Sequence, residues 1–443
     1  MTLSPPPKAR GLVGNSMALL ALSYATSFLG YVFWVICARS VPPGAIGMAN
    51  TVISAMTLVA ILAVAGFIPL LTRLLPGAGP EKRNGLFSTA LLVTIVASGT
   101  FAVVGAQLLP SRLHDNIGTG WLLTLLTLGT VGTAIMFVTN AALLGVRRAD
   151  FSLLGTMVGS VSRLVAIAAL LLLGAATVGA DASATHTILI VWVASLAITL
   201  TLSIRLLARA TPNFAFRPRL IWLTQLRRSV GWDHIATLAM RAPTFVIPIL
   251  AAAVFPTDEL GYITVTVMVA TVFFAIAASI SNSLLADCAD DPTRLRAQAK
   301  RAARMIALLL SVPVTITCLF AKQILSIFGP GYADYSFLLI MLLLATFPDA
   351  LINVAMTILR VQQRLAVIAL FTVTGATISI GGSWLLMPHF GALGAGVAVL
   401  TAQVVTAILF TVGGLYRFRA AQGADKSAAH TGIGQGTTEA ARS

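Results

Sequence analysis

The sequence predicts an all-α polytopic membrane protein with about 12 transmembrane helices in two six-helix lobes related by a parallel internal repeat. Of its 443 residues, 58% are hydrophobic and only 10% are charged, and the mean hydropathy is +0.93. A soluble domain has about 25% charged residues, because its surface faces water. The chain contains repeated apolar runs, and their lengths approach or reach the roughly 20 residues that a helix needs to cross a bilayer. Most of this chain is therefore expected to lie in lipid.

The apolar runs define the individual predicted spans. They are rich in Leu and Ala and lack a period of two, which excludes strands and a transmembrane barrel. The predicted spans are Asn15–Cys37, Ile46–Ile68, Leu86–Leu108, Trp121–Leu144, Leu153–Ala175, Thr187–Ile204, His234–Val254, Gly261–Leu285, Met305–Ile327, Phe337–Leu359, Val367–Met387 and Ala392–Leu415.

The distribution of basic residues predicts the orientation of these spans. The chain has 29 Lys and Arg residues against 14 Asp and Glu residues. With a cytoplasmic N-terminus, only Arg39, Arg112 and Lys322 fall in external segments, while Arg163 and Arg241 fall within spans. All other basic residues lie in inside segments, as the positive-inside rule requires. We therefore predict a multi-pass protein of the plasma (inner) membrane with both termini in the cytoplasm.

Loops and composition predict the domain organisation. Residues 1–14 form a cytoplasmic N-terminus, 15–207 the first lobe, 208–231 a basic cytoplasmic linker, 232–416 the second lobe and 417–443 a disordered cytoplasmic tail. In the linker, Pro218–Val230 mixes apolar and basic side chains. This pattern is typical of a helix lying on the anionic inner leaflet, although a basic connector that only fixes topology would look the same.

The second half of the chain repeats the layout of the first. Val41–Met48 resembles Phe255–Tyr262, with Pro42 matching Pro256 and Gly47 matching Gly261. Matches further along keep nearly the same offset, which is close to half the chain. Six spans in each half, both starting inside, indicate a parallel repeat about an axis normal to the membrane. This is an architecture of alternating-access transporters.

Several stretches resemble a known family. The stretch NSMALLALSYATSFLGYVFWVICARSVPPGAIGMANTVISAM (residues 15–56) is similar to the opening of polysaccharide-biosynthesis flippases, in which an Ala-Arg pair is followed by a Pro-containing turn and a glycine. DELGYITVTVMV (Asp258–Val269) and LLGVRRADF (Leu143–Phe151) are similar to later segments of that family. The chain thus resembles the O-antigen and teichoic-acid exporter type of oligosaccharide flippase, within the multidrug/oligosaccharidyl-lipid/polysaccharide (MOP) exporter superfamily.

The resemblance implies a function and partners. It implies movement of a lipid-linked, undecaprenyl-type oligosaccharide across the membrane for cell-surface polysaccharide biosynthesis, by alternating access. The implied partners are this substrate, membrane lipids, and the glycan polymerase and glycosyltransferases of the same pathway. It also implies that the first and seventh helices line the cleft, which favours Arg241 as a substrate contact.

Charged residues within the spans are the first candidates for a site, because a charge at mid-bilayer is costly unless it faces a cavity or a partner. Arg163, Arg241 and Asp349 lie deep in their spans. A guanidinium matches the oxygens of a pyrophosphate, so the arginines are predicted to bind a lipid-linked sugar. Alternatively, either arginine pairs with Asp349 or with backbone carbonyls and only holds helices together.

Three further residues complete the candidate site. Asn50 and Asn353 are intramembrane amides that could bind sugar hydroxyls, although hydrogen bonding between helices is the commoner role of such amides. Arg39 belongs to the Ala-Arg pair that directly follows the first predicted span.

Other functional classes find no support in the sequence. The motifs GxxxxGK[ST], HExxH and GxSxG are absent, and the three cysteines form no CxxC pair. We expect no catalytic residue, cofactor, metal ion or nucleic-acid partner, and therefore no enzyme. Two alternative functions stay open: a cation-coupled multidrug extruder and, more distantly, a membrane-embedded glycosyltransferase. The first external loop lacks the acidic residues that the latter would want.

Overall fold

The computed structural model is helical throughout the part of the chain that it describes. That part comprises residues 12–64, 66–172, 181–211, 215–219, 221–222, 231–288 and 295–433. Its α-helices are α1 (Leu12–Ser40), α2 (Pro43–Val64), α3 (Phe67–Leu74), α4 (Pro80–Gln107), α5 (Ser111–Ile117), α6 (Thr119–Gly145), α7 (Ala149–Leu172), α8 (Asp181–Ala210), α9 (Trp232–Val254), α10 (Thr257–Cys288), α11 (Leu295–Leu319), α12 (Ala321–Ser326), α13 (Ser336–Val361), α14 (Leu365–Phe390) and α15 (Ala392–Ile433). A 3₁₀ turn, Tyr332–Tyr335, precedes α13.

The predicted fold class, an all-α polytopic membrane protein, is confirmed. Within the described residues, ten helices are long and apolar enough to cross a membrane. The first predicted span lies within α1 and the ninth overlaps α11; the apolar parts found in these two helices, Phe28–Ser40 and Ala303–Leu319, are shorter. The total of twelve spans stays a prediction.

Two predicted spans differ from the structure in their continuity. The second, Ile46–Ile68, is divided between α2 and α3. Gly66 stands at this break with φ 47°, a left-handed conformation that glycine adopts without the steric penalty of a Cβ atom. The ninth, Met305–Ile327, is divided between α11 and α12.

The chain forms two compact units. Unit 1 comprises Met1–Met268 with Lys322–Ser336, and unit 2 comprises Val269–Ala321 with Phe337–Ser443. These boundaries differ from those of the predicted lobes, because α9 packs against α2 of the first half and so belongs to unit 1. The lobe boundaries at 15–207 and 232–416 stay a prediction.

Helix α2 lies at the centre of unit 1, where it contacts α4, α6, α8 and α9. Small residues allow some of these helices to approach closely. A Cβ atom on Gly159 of α7 would meet the Thr199 hydroxyl of α8 and lie 3.1 Å from the Thr199 Cβ. Gly155, one turn earlier, faces Ser203 of α8 in the same way. These two glycines therefore define the seam between α7 and α8.

Unit 2 is built around the antiparallel pair α14 and α15. A Cβ on Gly394 would lie 2.7 Å from the Met387 nitrogen, and one on Gly413 would lie 2.7 Å from the Phe371 ring. Helix α13 packs against the start of α15, since a Cβ on Gly396 would lie 3.0 Å from Leu338.

The predicted linker and tail are only partly described. Helix α15 continues to Ile433, through most of the predicted disordered tail 417–443, and the alanines at 420–429 favour such a continuation by their helix propensity. Residues 434–443 and 1–11 lie outside the described residues. Most of the predicted interfacial helix Pro218–Val230 does too, while 215–219, Ile221 and Trp222 are described.

Candidate substrate-binding site

Arg163 of α7 lies against aromatic side chains of two other helices. Its guanidinium carbon is 3.5 Å from the ring centroid of Trp192 on α8 and 5.7 Å from that of Phe33 on α1. Its Nε donates a hydrogen bond to the Ser195 hydroxyl, 3.2 Å away. A guanidinium stacked on an indole gains a cation–π interaction that strengthens when water is excluded. Helices α1, α7 and α8 thus hold one cation in place.

The local sequence explains this geometry. Trp192 and Ser195 are three residues apart on α8 and therefore lie on one helix face. The Ser195 hydroxyl donates to the Trp192 carbonyl oxygen at 2.8 Å, which leaves its lone pairs for Arg163. Phe33 and Trp34 of α1 extend the aromatic cluster, with ring centroids 6.3 Å from Trp192 in both cases. Arg163 is therefore oriented by neutral groups.

No carboxylate neutralises Arg163 within the described part of the chain. The two ion pairs found there are Arg148–Asp150 and Arg219–Glu81. The terminal nitrogens of Arg163 donate no hydrogen bond to any described residue. A half-buried guanidinium with an oriented plane, whose two terminal nitrogens form the remaining donor edge, is suited to bind an anion through a bidentate contact.

Arg241 and Asn50 lie on helices that pack together, α9 and α2. The Thr51 hydroxyl, adjacent to Asn50, donates to the Gly47 carbonyl oxygen at 2.9 Å and lies 3.4 Å from the Pro248 carbonyl oxygen across this contact. Arg241 is exposed and takes part in no hydrogen bond or ion pair with the described residues. Its guanidinium is thus available to a ligand.

Asp349 lies in unit 2 and is bound by amides. The Asn353 Nδ2 donates to the Asp349 carboxylate at 2.9 Å and to the Asp349 carbonyl oxygen at 2.9 Å. Gln403 of α15 also hydrogen-bonds the Asp349 side chain. The hydrogen bonds thus join α13 to α15, and neither ion pair of the described residues includes Asp349.

Arg39 lies at the end of α1, where its Nε donates to the Ile327 carbonyl oxygen at 3.0 Å. At a rise of 1.5 Å per residue, it is about 9 Å further along α1 than Phe33, whose ring centroid lies 5.7 Å from the Arg163 guanidinium carbon. Its hydrogen bond ties α1 to the segment after α12. Of the six candidates, Arg39 is thus placed at a helix end, whereas Arg163, Arg241, Asp349, Asn50 and Asn353 lie within helices.

Near this end of α1, the start of α2 crosses the start of α10 at backbone distance. A Cβ on Gly47 would lie 2.6 Å from the Gly261 nitrogen, and one on Gly261 would lie 2.6 Å from the Pro43 Cα and closer still to the Pro43 carbonyl. Gly47 and Gly261 are the positions that the internal repeat predicts to be equivalent.

Sequence reasoning missed three residues of these clusters: Trp192, Ser195 and Gln403. The first two carry a usable signal, since an aromatic residue and a hydroxyl at i and i+3 form one face of an apolar helix. Gln403 is an amide within the last predicted span, and its distance from Asp349 in sequence hides their contact.

The fold of this chain is similar to that of solved MOP-superfamily transporters. Among solved structures, the lipid II flippase MurJ in an inward closed conformation matches with a TM-score of 0.70 and 11% identity, covering 90% of this chain and 87% of that chain. An inward-facing multidrug resistance MATE family transporter of the MOP superfamily matches with a TM-score of 0.70 and 16% identity, covering 89% and 94%.

A third match is a MOP superfamily transporter from Pyrococcus furiosus, with a TM-score of 0.54 and 15% identity, covering 91% of this chain and 94% of that one. No family model matches the chain, and no curated protein matches its sequence. At these identities the likeness establishes the fold.

Proposed function

We propose that the protein is a flippase that moves a lipid-linked, undecaprenyl-type oligosaccharide across the plasma membrane for cell-surface polysaccharide biosynthesis. The observation that carries this proposal is the Arg163 guanidinium, stacked on Trp192 and lacking a carboxylate partner among the described residues. An unneutralised cation inside an apolar bundle is costly. An anionic ligand that binds there offsets this cost.

The geometry at Arg163 suits a pyrophosphate in particular. Nε is engaged by Ser195, so the guanidinium plane is fixed and its terminal nitrogens remain for two phosphate oxygens. Arg241, exposed on α9, supplies a second guanidinium for the same charged group. Asn50, on the neighbouring α2, supplies an amide for a sugar hydroxyl. In this proposal Arg39 and Asn353 line the path at its ends rather than holding the phosphates.

Alternating access accounts for the closed crossing of α2 and α10. In the proposal, Gly47 and Gly261 separate to open the outer side, and the MurJ and MATE structures similar to this chain were both solved in inward conformations. Both termini and the linker 208–231 are then cytoplasmic. The glycosyltransferases and the glycan polymerase of the pathway would supply and consume the lipid-linked sugar, and the protein itself performs no covalent chemistry.

The test is a flipping assay in proteoliposomes with a fluorescent oligosaccharide linked to undecaprenyl pyrophosphate, using a membrane-impermeant quencher. Arg163→Met should lower the flipping rate more than about tenfold, as expected when a charged hydrogen-bond partner is lost. Arg163→Lys keeps the charge without the planar fork and should be intermediate. Lys322→Met, which removes an exposed cation elsewhere, should behave as the parent. Flipping by Arg163→Met at the parental rate would contradict the assignment.

A cation-coupled multidrug extruder is the second candidate, favoured by Asp349, an intramembrane carboxylate with amide partners. The MATE transporter matches the chain with the same TM-score as MurJ. Export of a cationic dye from cells expressing the protein, abolished by Asp349→Asn, together with no flipping of the lipid-linked sugar, would favour this function over the first.

A further inference from the structure

A short part of the predicted cytoplasmic linker is fixed to the first turns of α4. The Arg217 backbone nitrogen donates to the Ser88 hydroxyl at 3.0 Å. The Arg219 nitrogen donates to the Thr89 hydroxyl at 2.8 Å, and that hydroxyl lies 3.1 Å from the Arg219 carbonyl oxygen. We call residues 215–219 with Ile221 and Trp222 the linker strap. Two backbone N–H groups of the strap thus donate to two buried hydroxyls of α4.

A glycine on α4 lets the strap approach. A Cβ on Gly85 would lie 3.0 Å from the Trp222 indole nitrogen and 3.5 Å from the Arg219 Cδ. The Trp222 ring packs against the buried cluster formed by α2, α3, α4 and α6. The Lys82 ammonium lies 5.9 Å from the centroid of the same ring. The Trp222 ring thus packs against the buried cluster and also lies near the Lys82 ammonium group.

The outer surface of the strap combines exposed cations with exposed apolar side chains. Arg217 and Lys82 are exposed and take part in no ion pair of the described residues, whereas Arg219 is paired with Glu81. In the same strap, the Phe216 side chain is 54% exposed and Ile221 is 70% exposed. Apolar groups that enter the lipid interface beside cations that meet phosphates are typical of interfacial segments.

We propose that the linker strap and the first turn of α4 form a binding site for the headgroup of an anionic phospholipid. Lys82 and Arg217 bind the phosphate, and Phe216 and Ile221 contact the glycerol and upper acyl region. The site is distinct from Arg163 and Arg241, and its ligand is a lipid of the bilayer rather than the transported lipid. It would hold the linker between the two halves of the chain at the membrane surface.

The test measures lipid affinity of the purified full-length protein in detergent by native mass spectrometry, with phosphatidylglycerol and phosphatidylcholine as probes. The parent should bind phosphatidylglycerol more tightly than phosphatidylcholine. The double variant Lys82→Gln/Arg217→Gln should bind phosphatidylglycerol about 30-fold more weakly, from the known contribution of two surface cations. The matched control Arg147→Gln/Arg364→Gln removes the same charge from two other predicted cytoplasmic turns and should stay within about twofold of the parent.

A second pair of variants tests whether the docked strap is needed. Thr89→Val and Ser88→Ala remove the hydroxyls that hold the strap and leave every cation in place. If the site requires the docked strap, these variants also lose the preference for phosphatidylglycerol. The proposal is wrong if the parent binds both lipids equally, or if the control double variant loses as much affinity as Lys82→Gln/Arg217→Gln. Full retention of the preference in Thr89→Val/Ser88→Ala would also overturn it.

Discussion

The crossing of α2 and α10 gives the sharpest prediction, because the atoms that a new side chain would meet belong to the backbone. Gly261→Ala would place its Cβ 2.6 Å from the Pro43 Cα and nearer to the Pro43 carbonyl group. A neighbouring side chain could rotate away from the new Cβ, but the Pro43 backbone atoms can move only if α2 moves. Overpacking typically costs about 1–3 kcal/mol, and a cost of about 3 kcal/mol shifts a two-state equilibrium more than about 100-fold. Gly261→Ala should therefore shift the protein towards a state in which the two helix starts have separated.

The shift can be followed by cysteine labelling. Ala45, in the same turn of α2 as Gly47, is fully buried, so Ala45→Cys in a background without the three native cysteines should resist a maleimide. Adding Gly261→Ala should make it reactive. Gly30→Ala is the matched control, because nothing lies within 4 Å of the Cβ that it adds. Unchanged protection of the cysteine in Gly261→Ala, with an unchanged melting temperature, would refute the reasoning.

Three other predictions follow from contacts within the units. Arg241→Ala should abolish flipping while the protein remains at normal abundance. Adding Asp349→Asn should leave that abundance unchanged, because the partners of Asp349 are amides. If Arg241→Ala instead lowers the abundance and Asp349→Asn restores it, the two residues form a pair. Gly159→Ala should destabilise the protein by about 1–3 kcal/mol, and Thr199→Ala should recover most of this loss in thermal unfolding, since the Thr199 hydroxyl is the atom that the new Cβ meets. Gln403→Leu should lower the melting temperature, because it removes a donor from a half-buried carboxylate at a cost of about 1–3 kcal/mol.

The helical fold could be predicted because the bilayer imposes a length that hydropathy reveals. Every predicted span corresponds to a helix or to a pair of helices, and the differences are local. Gly66 interrupts the second span through a left-handed backbone conformation. Hydropathy averaged along the sequence does not reveal such a conformation. The extension of α15 to Ile433 depends on alanine propensity in a polar stretch, where hydropathy carries no signal.

The candidate site was only partly predictable, because contacts between distant helices decide which charges are compensated. The cost of placing a charge within a membrane span identified Arg163, Arg241 and Asp349 as candidates. It could not show whether each of them pairs with another side chain or binds a ligand. The structure supplies neutral partners instead: Trp192 and Ser195 for Arg163, drawn from another helix. A polar residue among many apolar ones has no sequence feature that reveals which helix it will face.

The sign of the uncompensated charge separates the two transport functions. The Asp349 carboxylate already accepts hydrogen bonds from Asn353 and Gln403, so part of its acceptor capacity is satisfied without a ligand. The Arg163 guanidinium uses one nitrogen, and its terminal nitrogens meet no acceptor among the described residues. An anion would therefore gain two charge-assisted hydrogen bonds there without displacing an existing partner. An anionic, phosphate-bearing substrate thus gains more from these helices than a cation does. Competition of flipping by undecaprenyl pyrophosphate, and not by a cationic dye, is the outcome expected from this difference.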